Sequence, residues 1–297
     1  MTFFSRKSLV ATHSGHFHPD DVCAVAILHI LLGGRYRLVR TRDPKIYENA
    51  DYVVDVGDVY DPPRQRFDHH QKGGAGARAS GAPYAAFGLV WKEYGEKLCG
   101  SKEGAEEIDR KIVAHADALD NGVDNSKGAG DSEPPYLFAD FLFSHNPSWN
   151  ERISFDSRFK KAVSYAVIML SREIERERVS VKGKVLSEKA YQASTDKRII
   201  ELSGNYPWRS VFTKHPEPLF VVKMNDDGTW NVKAVPVSKT GFEMRISFPE
   251  SWAGLKGEAL AIASGVPDAI FCHNGRFVAV AKSREGALSL AKKAVDA

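Results

Sequence analysis

Histidine and aspartate residues are concentrated early in the 297-residue chain, where they could hold metal ions. Seven of the ten histidines lie in the first 115 positions, and several have aspartates beside them. A lone histidine is more often a core or surface residue, but several His/Asp groups together favour a metal site. Imidazole and carboxylate ligands without thiolates suit manganese, iron or zinc better than calcium. The groups are His13, His16, His18, Asp20 and Asp21; Asp68, His69 and His70; and His115 and Asp117.

Asp55 is the candidate for a carboxylate that two cations share. It follows the apolar run Tyr52 to Val54, where a buried aspartate would be costly unless a cation or another partner neutralised it. A shared carboxylate can hold two cations roughly 3.5 to 4 Å apart, which suits activation of a water and in-line displacement at phosphorus. The alternative is a loop aspartate that caps the following turn, and Gly57 would suit that as well. The downstream Asp68-His69-His70 favours the metal.

The first part of the chain is predicted to alternate strands and helices. The apolar segment Asp21 to Leu32 is long enough for a buried helix, and further helices are predicted at Tyr84 to Leu98 and Glu103 to Ala118. Three apolar, β-branched segments are typical of strands: Ser8 to Thr12, Tyr36 to Thr41 and Tyr52 to Val56. This alternation favours a parallel sheet with helices on both faces, and ligands bind at the carboxyl ends of its strands. His13 and Asp55 lie there.

The second part begins with helices and continues with strands. Apolar residues recur every three or four positions from Phe155 to Ile174, which predicts one face of a helix, and another helical stretch lies around Lys182 to Ala193. A terminal amphipathic helix is predicted at Arg284 to Ala297. The predicted strands are Arg198 to Leu202, Leu219 to Lys223, Thr229 to Val237, Ala269 to His273 and Arg276 to Lys282.

The predicted fold is therefore α/β, with an N-terminal parallel-sheet domain, a helical connector and a smaller C-terminal α+β domain. The first domain with its connector would occupy residues 1–180, and the second residues 181–297. A chain of this length has room for two separate cores.

The composition is that of an ordinary soluble protein. Charged residues make up 27% of the chain and the net charge is +3, so any nucleic-acid binding must come from local patches. Three widely spaced cysteines argue against a disulfide framework and against a structural zinc cluster, and fit a reducing compartment. The apolar run Val22 to Leu32 is too short to cross a bilayer. We expect a cytoplasmic protein without a membrane span.

Asp68-His69-His70, preceded by a strand that ends in Asp55, resembles the DHH phosphoesterase superfamily. Members of that superfamily use two metals, commonly manganese, to hydrolyse phosphodiesters or pyrophosphate. Longer segments are similar to the melanocyte proliferating gene (MYG) exonuclease family: Thr12 to Asp21, Val53 to Pro62, Phe67 to Gln71, Asp117 to Gly122, Phe242-Glu243, Phe248 to Leu255 and Phe271 to Gly275. The resemblance covers nearly the whole chain. It implies a DHH-type catalytic domain and a 3′-to-5′ RNA exonuclease.

The resemblance also implies two sets of ligands. One metal would be held by His13, His18 and Asp55, and the other by Asp20, Asp55, His69 and Asp117. His70 would face the scissile phosphate, and Asp68 would orient a ligand imidazole through its other nitrogen. The chain departs from the family's usual pattern at Pro19 and Asp21, where Cys and Glu are common, and the nearby His16 is an alternative to His13. The cofactors implied are two divalent ions, manganese first and magnesium as the alternative.

The segment from 273 to 284 could bind phosphate groups of the substrate. Its candidates are His273, Asn274, Arg276, Lys282 and Arg284, because arginine binds phosphate through paired hydrogen bonds. The alternative is a solvated strand edge. The leading hypothesis is a hydrolase of RNA or single-stranded oligonucleotides, with a homodimer as one possible assembly. Two alternatives stay open: a phosphoesterase for short oligonucleotides, cyclic dinucleotides or pyrophosphate, and a non-enzymatic RNA-binding protein, which would not need the His/Asp groups.

Overall fold

The structure is a computed structural model that describes residues 6–123 and 136–297. The chain divides into two compact units, Met1–Arg178 and Val179–Ala297, and each carries one five-stranded sheet. The predicted α/β class, with a parallel sheet in the N-terminal unit and a second sheet after it, is confirmed. Within the described ranges, no helix combines the length and apolar character that crossing a membrane would require.

The N-terminal sheet is parallel except at one edge. Its order is β2-β1-β3-β5-β4, and only β4 runs antiparallel to its neighbour. The three predicted strands are present, and two further strands of two residues each escaped prediction because so short a segment carries no pattern. The strands are β1 (Ser8–Thr12), β2 (Tyr36–Arg40), β3 (Tyr52–Val54), β4 (Tyr60–Asp61) and β5 (Arg66–Phe67).

The helices of this unit cover the sheet unequally. The main core joins Val10, Val54 and Phe67 of the sheet to the apolar sides of the larger helices. The opposite face carries a small cluster that includes Ala11 and Val53, and Tyr47 of α2 packs against it. The helices are α1 (Pro19–Leu31), α2 (Pro44–Tyr47), α3 (Ala86–Cys99), α4 (Lys102–Ile108), α5 (Ala114–Asp120) and α6 (Phe138–Phe143), with a π-helical stretch Asp109–Val113 between α4 and α5.

Helix α1 begins where the sequence chemistry favours a helix start. Proline occupies its first position, and the carboxylate of Asp21 accepts a hydrogen bond from the His18 backbone N–H at 2.9 Å. Proline suits this position because its missing N–H would be unpaired there, and acidic residues interact favourably with the helix N-terminus. The start of α1 therefore fixes the backbone direction at two of the predicted site residues, His18 and Asp20.

The predicted helical stretches after residue 155 form one continuous helix, α7 (Phe155–Ala193), of 39 residues. Its apolar positions Phe159, Val163, Ala166 and Leu170 are buried in the main core of the N-terminal unit, as their spacing predicts.

The C-terminal unit is an α+β domain with a mixed sheet in the order β6-β7-β8-β10-β9. Strands β6 and β7 are parallel and the other pairs are antiparallel. All five predicted strands are present: β6 (Ile199–Leu202), β7 (Phe220–Met224), β8 (Trp230–Ala234), β9 (Ala269–Cys272) and β10 (Val278–Ala281). The helices of this unit are α8 (Arg209–Phe212), α9 (Gly257–Ser264) and α10 (Arg284–Val295), the last of which was predicted.

Candidate metal centre

The predicted metal residues follow three neighbouring parallel strands of the N-terminal sheet. His13 follows β1, Asp55 follows β3, and Asp68-His69-His70 follows β5. Because these strands are hydrogen-bonded in the order β1-β3-β5 and run in the same direction, their carboxyl ends meet at one edge. The first turn of α1 adds His18 and Asp20 to this edge.

His13 lies between two buried carboxylates. Its Nε2 is 3.1 Å from Asp21 Oδ2 and 3.3 Å from Asp55 Oδ2. Asp21 also accepts the His18 N–H, so one carboxylate contacts both ends of the loop that carries the two predicted histidine ligands. Arg42 Nη2 approaches His13 Nδ1 at 3.3 Å.

His69 lies on the other side of Asp55. Its Nε2 is 3.4 Å from Asp55 Oδ1, 3.2 Å from Asp120 Oδ2 and 3.9 Å from Asp20 Oδ2. Asp120 Oδ1 is also 3.6 Å from His18 Nδ1. The two oxygens of Asp55 therefore face two different groups of ligands, one beside His13 and one beside His69.

Asp68 organises the turn that presents His70. Its Oδ1 accepts the backbone N–H of His69 at 2.7 Å and lies 2.7 Å from His70 Nδ1, while Oδ2 accepts the Asp58 N–H at 2.7 Å. With Nδ1 held by the carboxylate, the imidazole of His70 presents Nε2 outward, and more than half of this side chain is exposed. Asp68 thus orients the ring of His70, the residue expected to face the phosphate, whereas the imidazole that it was predicted to orient is that of a metal ligand. His70 is left accessible to a substrate.

The backbone after β3 is held in an unusual conformation. Asp55 and Asp58 have positive φ angles of 55° and 54°, a region that residues other than glycine rarely occupy. Gly57 has φ 100°, and a Cβ there would lie 3.1 Å from the Tyr47 ring. Such conformations persist where the surrounding structure enforces them, and they cluster at functional sites.

The carboxylates control the charge of the buried imidazoles. Burial disfavours the charged form of His13, but Asp21 and Asp55 outweigh it and raise its pKa to about 10. Burial likewise opposes protonation of His69, yet Asp120 and Asp55 raise its pKa to about 10. In return, and against the effect of burial, the two histidines lower the pKa of Asp55.

The protein alone does not neutralise the whole cluster. Burial, followed by the charges of Asp55 and Asp120, raises the pKa of Asp20 well above its ordinary range. Eleven buried side-chain atoms of the described residues have no hydrogen-bond partner of acceptable geometry, and they include four at this centre: Asp20 Oδ1, Asp21 Oδ2, Asp55 Oδ1 and His69 Nε2. Buried polar atoms without partners are rare and call for a ligand or another explanation. Divalent cations would supply the missing interactions.

The donor atoms are close enough for cation sites. In three sets of side chains, one ligand atom from each member lies within 4.8 Å of the others, and the first two sets share Asp55. They are His13, His18 and Asp55; Asp55, His69 and His70; and His18, Asp20 and Asp120. A cavity of about 300 Å³ opens beside the first set and is lined by His13, Asp55 and His70 together with Arg42 and Tyr47.

Asp117 does not join this cluster, contrary to the position implied by the resemblance. Its Oδ2 is 2.8 Å from Arg78 Nη2, and its Oδ1 accepts the Gly88 N–H at 2.9 Å. A Cβ at Gly88 would lie 1.8 Å from Asp117 Oδ2, so the carboxylate fills the space above α3. Burial raises the pKa of Asp117 to about 6 despite the Arg78 guanidinium. Asp117 is thus ion-paired with Arg78 inside the protein, although its Oδ2 has no hydrogen bond of acceptable geometry, and Asp120, three residues later, faces the cluster.

Sequence reasoning missed three residues of the site. Asp21, named in the first His/Asp group but given no role, follows Asp20 directly. Asp120 lies three residues after Asp117, and Arg42 follows β2 at the same sheet edge. The family-like segment Asp117 to Gly122 contained both aspartates, and the Asn121-Gly122 stop signal places Asp120 at the end of its helix. His16 lies apart from the three candidate cation sets of the described chain, with its ring 4.9 Å from that of Phe155, whereas His13 belongs to one of those sets.

The predicted phosphate-binding residues of the C-terminal unit do not converge. His273, Asn274 and Arg276 lie in the turn before β10, whereas Lys282 and Arg284 lie after it. Arg284 is already paired, because Nε and Nη2 contact the two oxygens of Glu201 at 2.6 and 2.5 Å. Its guanidinium fork is therefore occupied by a carboxylate and not presented to a phosphate. The five residues do not form one site.

Comparison with known proteins agrees with the sequence motifs. The family model MYG1_exonuc, described as "Uncharacterised protein family (UPF0160)", matches residues 9–295. MYG1 exonuclease of Homo sapiens is 33% identical over 97% of this chain and 87% of its own length. The MYG1 protein of Saccharomyces cerevisiae is 32% identical over 95% of this chain and 94% of its own.

Among solved structures, RecJ from Thermus thermophilus in complex with Mn2+ shares 13% identity with a TM-score of 0.26. The alignment covers 98% of this chain and 52% of RecJ, so this chain spans about half the length of that protein. The sequence relatives and the family match confirm the predicted family, and with it the expectation of an enzyme. The chain belongs to the MYG1 exonuclease family.

Proposed function

We propose that this chain is a two-metal exonuclease that hydrolyses phosphodiester bonds of single-stranded RNA from the 3′ end. The observation that carries the proposal is the buried carboxylate of Asp55, which belongs to two candidate cation sets, one with His13 and one with His69. A shared carboxylate is an economical way to keep two cations at the short separation that phosphodiester hydrolysis uses. The exonuclease activity in the name of the human relative supports the same reaction.

The proposed ligands divide between the two oxygens of Asp55. His13 and His18 would join one oxygen, while Asp20, His69 and Asp120 would join the other. This set keeps the sequence-based assignment except that Asp120 replaces Asp117. Cations bound there would activate a water and stabilise the charge that develops during displacement at phosphorus. Manganese is the proposed ion, with magnesium as the alternative, because imidazole ligands favour the softer cation.

Three side chains of the same edge would act on the substrate directly or through a neighbour. His70, held at Nδ1 by Asp68, would donate a hydrogen bond from Nε2 to an oxygen of the scissile phosphate. Arg42 lines the cavity beside His13, where its positive charge suits a second phosphate oxygen. Asp68 would act as a positioning residue, since it fixes the orientation of the His70 ring.

The alternatives differ in what they require of this edge. A non-enzymatic RNA-binding protein needs a basic surface and has no use for buried aspartates that lack hydrogen-bond partners. A phosphoesterase for short oligonucleotides, cyclic dinucleotides or pyrophosphate needs the same centre, so only substrate tests separate it from the main proposal. RNA as substrate, 3′-to-5′ polarity, a cytoplasmic location and homodimerisation remain predictions from the sequence.

Labelled oligonucleotides test the proposal directly. Purified protein is stripped of metal by chelation and dialysis, then supplied with manganese or magnesium and given single-stranded RNA or DNA of the same sequence. The expected result is RNA hydrolysis that requires the metal and is faster with manganese. A 5′ label should yield a ladder of shortening products, and a 3′ label should yield labelled mononucleotide at once. Full activity in excess chelator would contradict the metal mechanism, and the opposite label pattern would contradict the polarity.

A further inference from the structure

We propose that the first turns of α7, together with Trp149, form a binding track for single-stranded nucleic acid on the N-terminal unit. We name the set Ser157, Lys160, Lys161 and Ser164 the lysine face. The proposal rests on the proposed function and deepens it, because it says where a strand held at the metal centre would be bound further along. It concerns residues that are separate from the metal ligands.

The lysine face is a continuous exposed stripe of one helix. Its four members occupy positions i, i+3, i+4 and i+7, which places them on the same side of α7, and all four are exposed. With Ile153 and Arg158 they line a surface groove of about 520 Å³. The stripe contains two cations, two hydroxyls and no carboxylate. That combination suits a phosphodiester backbone, since the lysines supply charge and the Ser157 hydroxyl supplies a hydrogen-bond donor, while the Ser164 hydroxyl donates to the Lys161 carbonyl at 2.6 Å.

The acidic residues nearest in sequence are already paired with arginines. Asp156 is 3.1 Å from Arg40 Nη1, and Glu151 is 2.5 Å from Arg158 Nη2. Across residues 6–123 and 136–297, Lys160 and Lys161 have no carboxylate oxygen within 4.0 Å, although Lys161 Nζ lies 5.1 Å from the centre of the Tyr165 ring. The two ammonium groups therefore keep their charge available to an external anion.

Trp149 adds a surface on which a base could stack. Its side chain is 97% exposed, which is exceptional for so large an aromatic residue. It lies in the turn Ser148 to Glu151, closed by a hydrogen bond from the Ser148 N–H to Glu151 Oε2 at 2.8 Å. Glu151 also pairs with Arg158, a residue that lines the groove. The turn that carries Trp149 is therefore held against Arg158, and stacking on an exposed indole is tolerant of base identity.

The same segment is fastened to the loop that carries His13 and His18. The Asn146 side chain accepts the Phe17 N–H at 3.0 Å and donates to the Phe17 carbonyl at 2.8 Å. Arg40 contacts Asp156 and also donates to the Gly15 carbonyl at 2.8 Å. These contacts make the metal loop and the start of α7 neighbours in one compact unit. A strand that leaves the metal centre on this side would meet the lysine face and Trp149.

Trp149 provides its own readout of binding. A 12-nucleotide poly-uridine RNA is titrated into metal-free protein, so that no hydrolysis occurs, and the emission of Trp149 is taken as the difference between wild type and Trp149→Phe. Stacking of a base should quench this fluorescence and shield the indole from collisional quenching by acrylamide. Trp149→Ala should weaken binding by about 5- to 100-fold, the range expected for one stacked base, and Trp149→Phe should restore most of it.

The lysines are tested with a control of equal charge. Lys160→Ala/Lys161→Ala should flatten the dependence of log affinity on log salt by about 0.7 for each phosphate that is no longer neutralised. Lys97→Ala/Lys102→Ala removes two exposed lysines from α3 and α4 of the same unit and should change the slope much less. With metal restored, the decrease in kcat/KM caused by the α7 pair should be larger for the 12-mer than for a dinucleotide.

Several outcomes would overturn the track. Equal effects of the two lysine pairs, or Trp149 emission that RNA leaves unchanged, would mean that this surface does not bind the strand. Poly-glutamate serves as a competitor of equal charge. If it shields Trp149 from acrylamide and displaces the 12-mer as well as unlabelled RNA does, an acidic protein would be the better partner and the nucleic-acid proposal would be wrong. If Trp149 is protected by RNA but the wild type hydrolyses no nucleic acid with any metal, the track stands and the proposed function fails.

Discussion

Polar side chains are concentrated both at the carboxyl edge of the N-terminal sheet and in the β9–β10 region of the C-terminal unit. The two regions differ in whether these side chains find their hydrogen-bond partners within the protein. At the N-terminal edge, buried oxygens of Asp20 and Asp55 have no hydrogen-bond partner within the described chain. In the C-terminal region, Arg284 is paired with Glu201, and His273 Nδ1 accepts the Gly275 N–H at 2.9 Å.

This difference separates a site for a ligand from a stable piece of fold. A polar group whose needs are met inside the protein contributes to the structure and gains little from an outside partner. A buried carboxylate with an unfilled lone pair gains a great deal when a cation arrives. The comparison therefore assigns metal chemistry to the N-terminal edge, while Arg284 and its carboxylate partner remain structural.

The largest expected effect is that of Asp55→Asn. The amide has nearly the same size but cannot neutralise two cations, so hydrolysis should fall by about 1,000-fold or more, equivalent to roughly 4 kcal/mol of lost stabilisation. Activity on labelled RNA and circular dichroism would be measured together. Asp61→Asn, in the short edge strand β4 and outside the candidate cation sets, serves as the control and should remain close to wild type. Near-normal turnover in a folded Asp55→Asn variant would remove Asp55 from the mechanism.

Asp120→Asn and Asp117→Asn form a pair that sharpens the assignment on α5. Loss of a metal ligand at Asp120 should lower metal affinity by about 100-fold without much change in stability. Loss of the internal carboxylate at Asp117, whose side chain is buried against Arg78, should lower the free energy of unfolding by about 1.5 to 3 kcal/mol. The activity per folded molecule of Asp117→Asn should remain within about threefold of that of the wild type. The reverse pattern would restore Asp117 as the ligand.

The choice between these two aspartates shows how far the sequence could lead. His13, Asp55 and His69 could be predicted because parallel strands bring their carboxyl ends to one edge whatever the details of packing. Asp117 and Asp120 differ by three positions on one helix, so the facing residue depends on how α5 is rotated against its neighbours. The pairing of Arg284 could not be predicted, because its partner Glu201 is 83 positions away in the sequence and no local pattern reveals it. The continuity of α7 could not be predicted either, because the charged stretch after Ile174 is compatible with a solvated helix and equally with a break between two helices.

Metal binding should be strongly pH-dependent. His13 and His69 have pKa values raised to about 10, so both imidazoles are protonated near neutral pH before a cation binds. A metal ion requires the neutral imidazole and must displace these protons, so affinity should rise with pH up to about 10. Calorimetric titration in two buffers of different ionisation enthalpy would count the protons released. Identical heats in both buffers would mean that the histidines are neutral or are not ligands.

The smallest expected effect is that of Arg284→Ala. Because the side chain is about half exposed and its partner Glu201 is on the surface, the loss of stability should be below about 1 kcal/mol. RNA affinity should change by less than about twofold, since the guanidinium is occupied by Glu201. Fluorescence anisotropy with labelled RNA at two salt concentrations checks this. A tenfold loss of affinity with a flatter salt dependence would return Arg284 to the substrate site and weaken the contrast between the two regions.

The most direct test of the shared-carboxylate centre is to count and locate bound metal. Wild-type protein and Asp55→Asn would be equilibrated with manganese at pH 8, freed of excess ion and analysed by elemental mass spectrometry, and crystals of each would be examined by anomalous scattering. We predict two ions per wild-type chain, one beside His13 and one beside His69, with Asp55 contacting both, and at most one weakly held ion in the variant. No bound ion in the wild type, or two ions retained in Asp55→Asn at the same positions, would contradict the account.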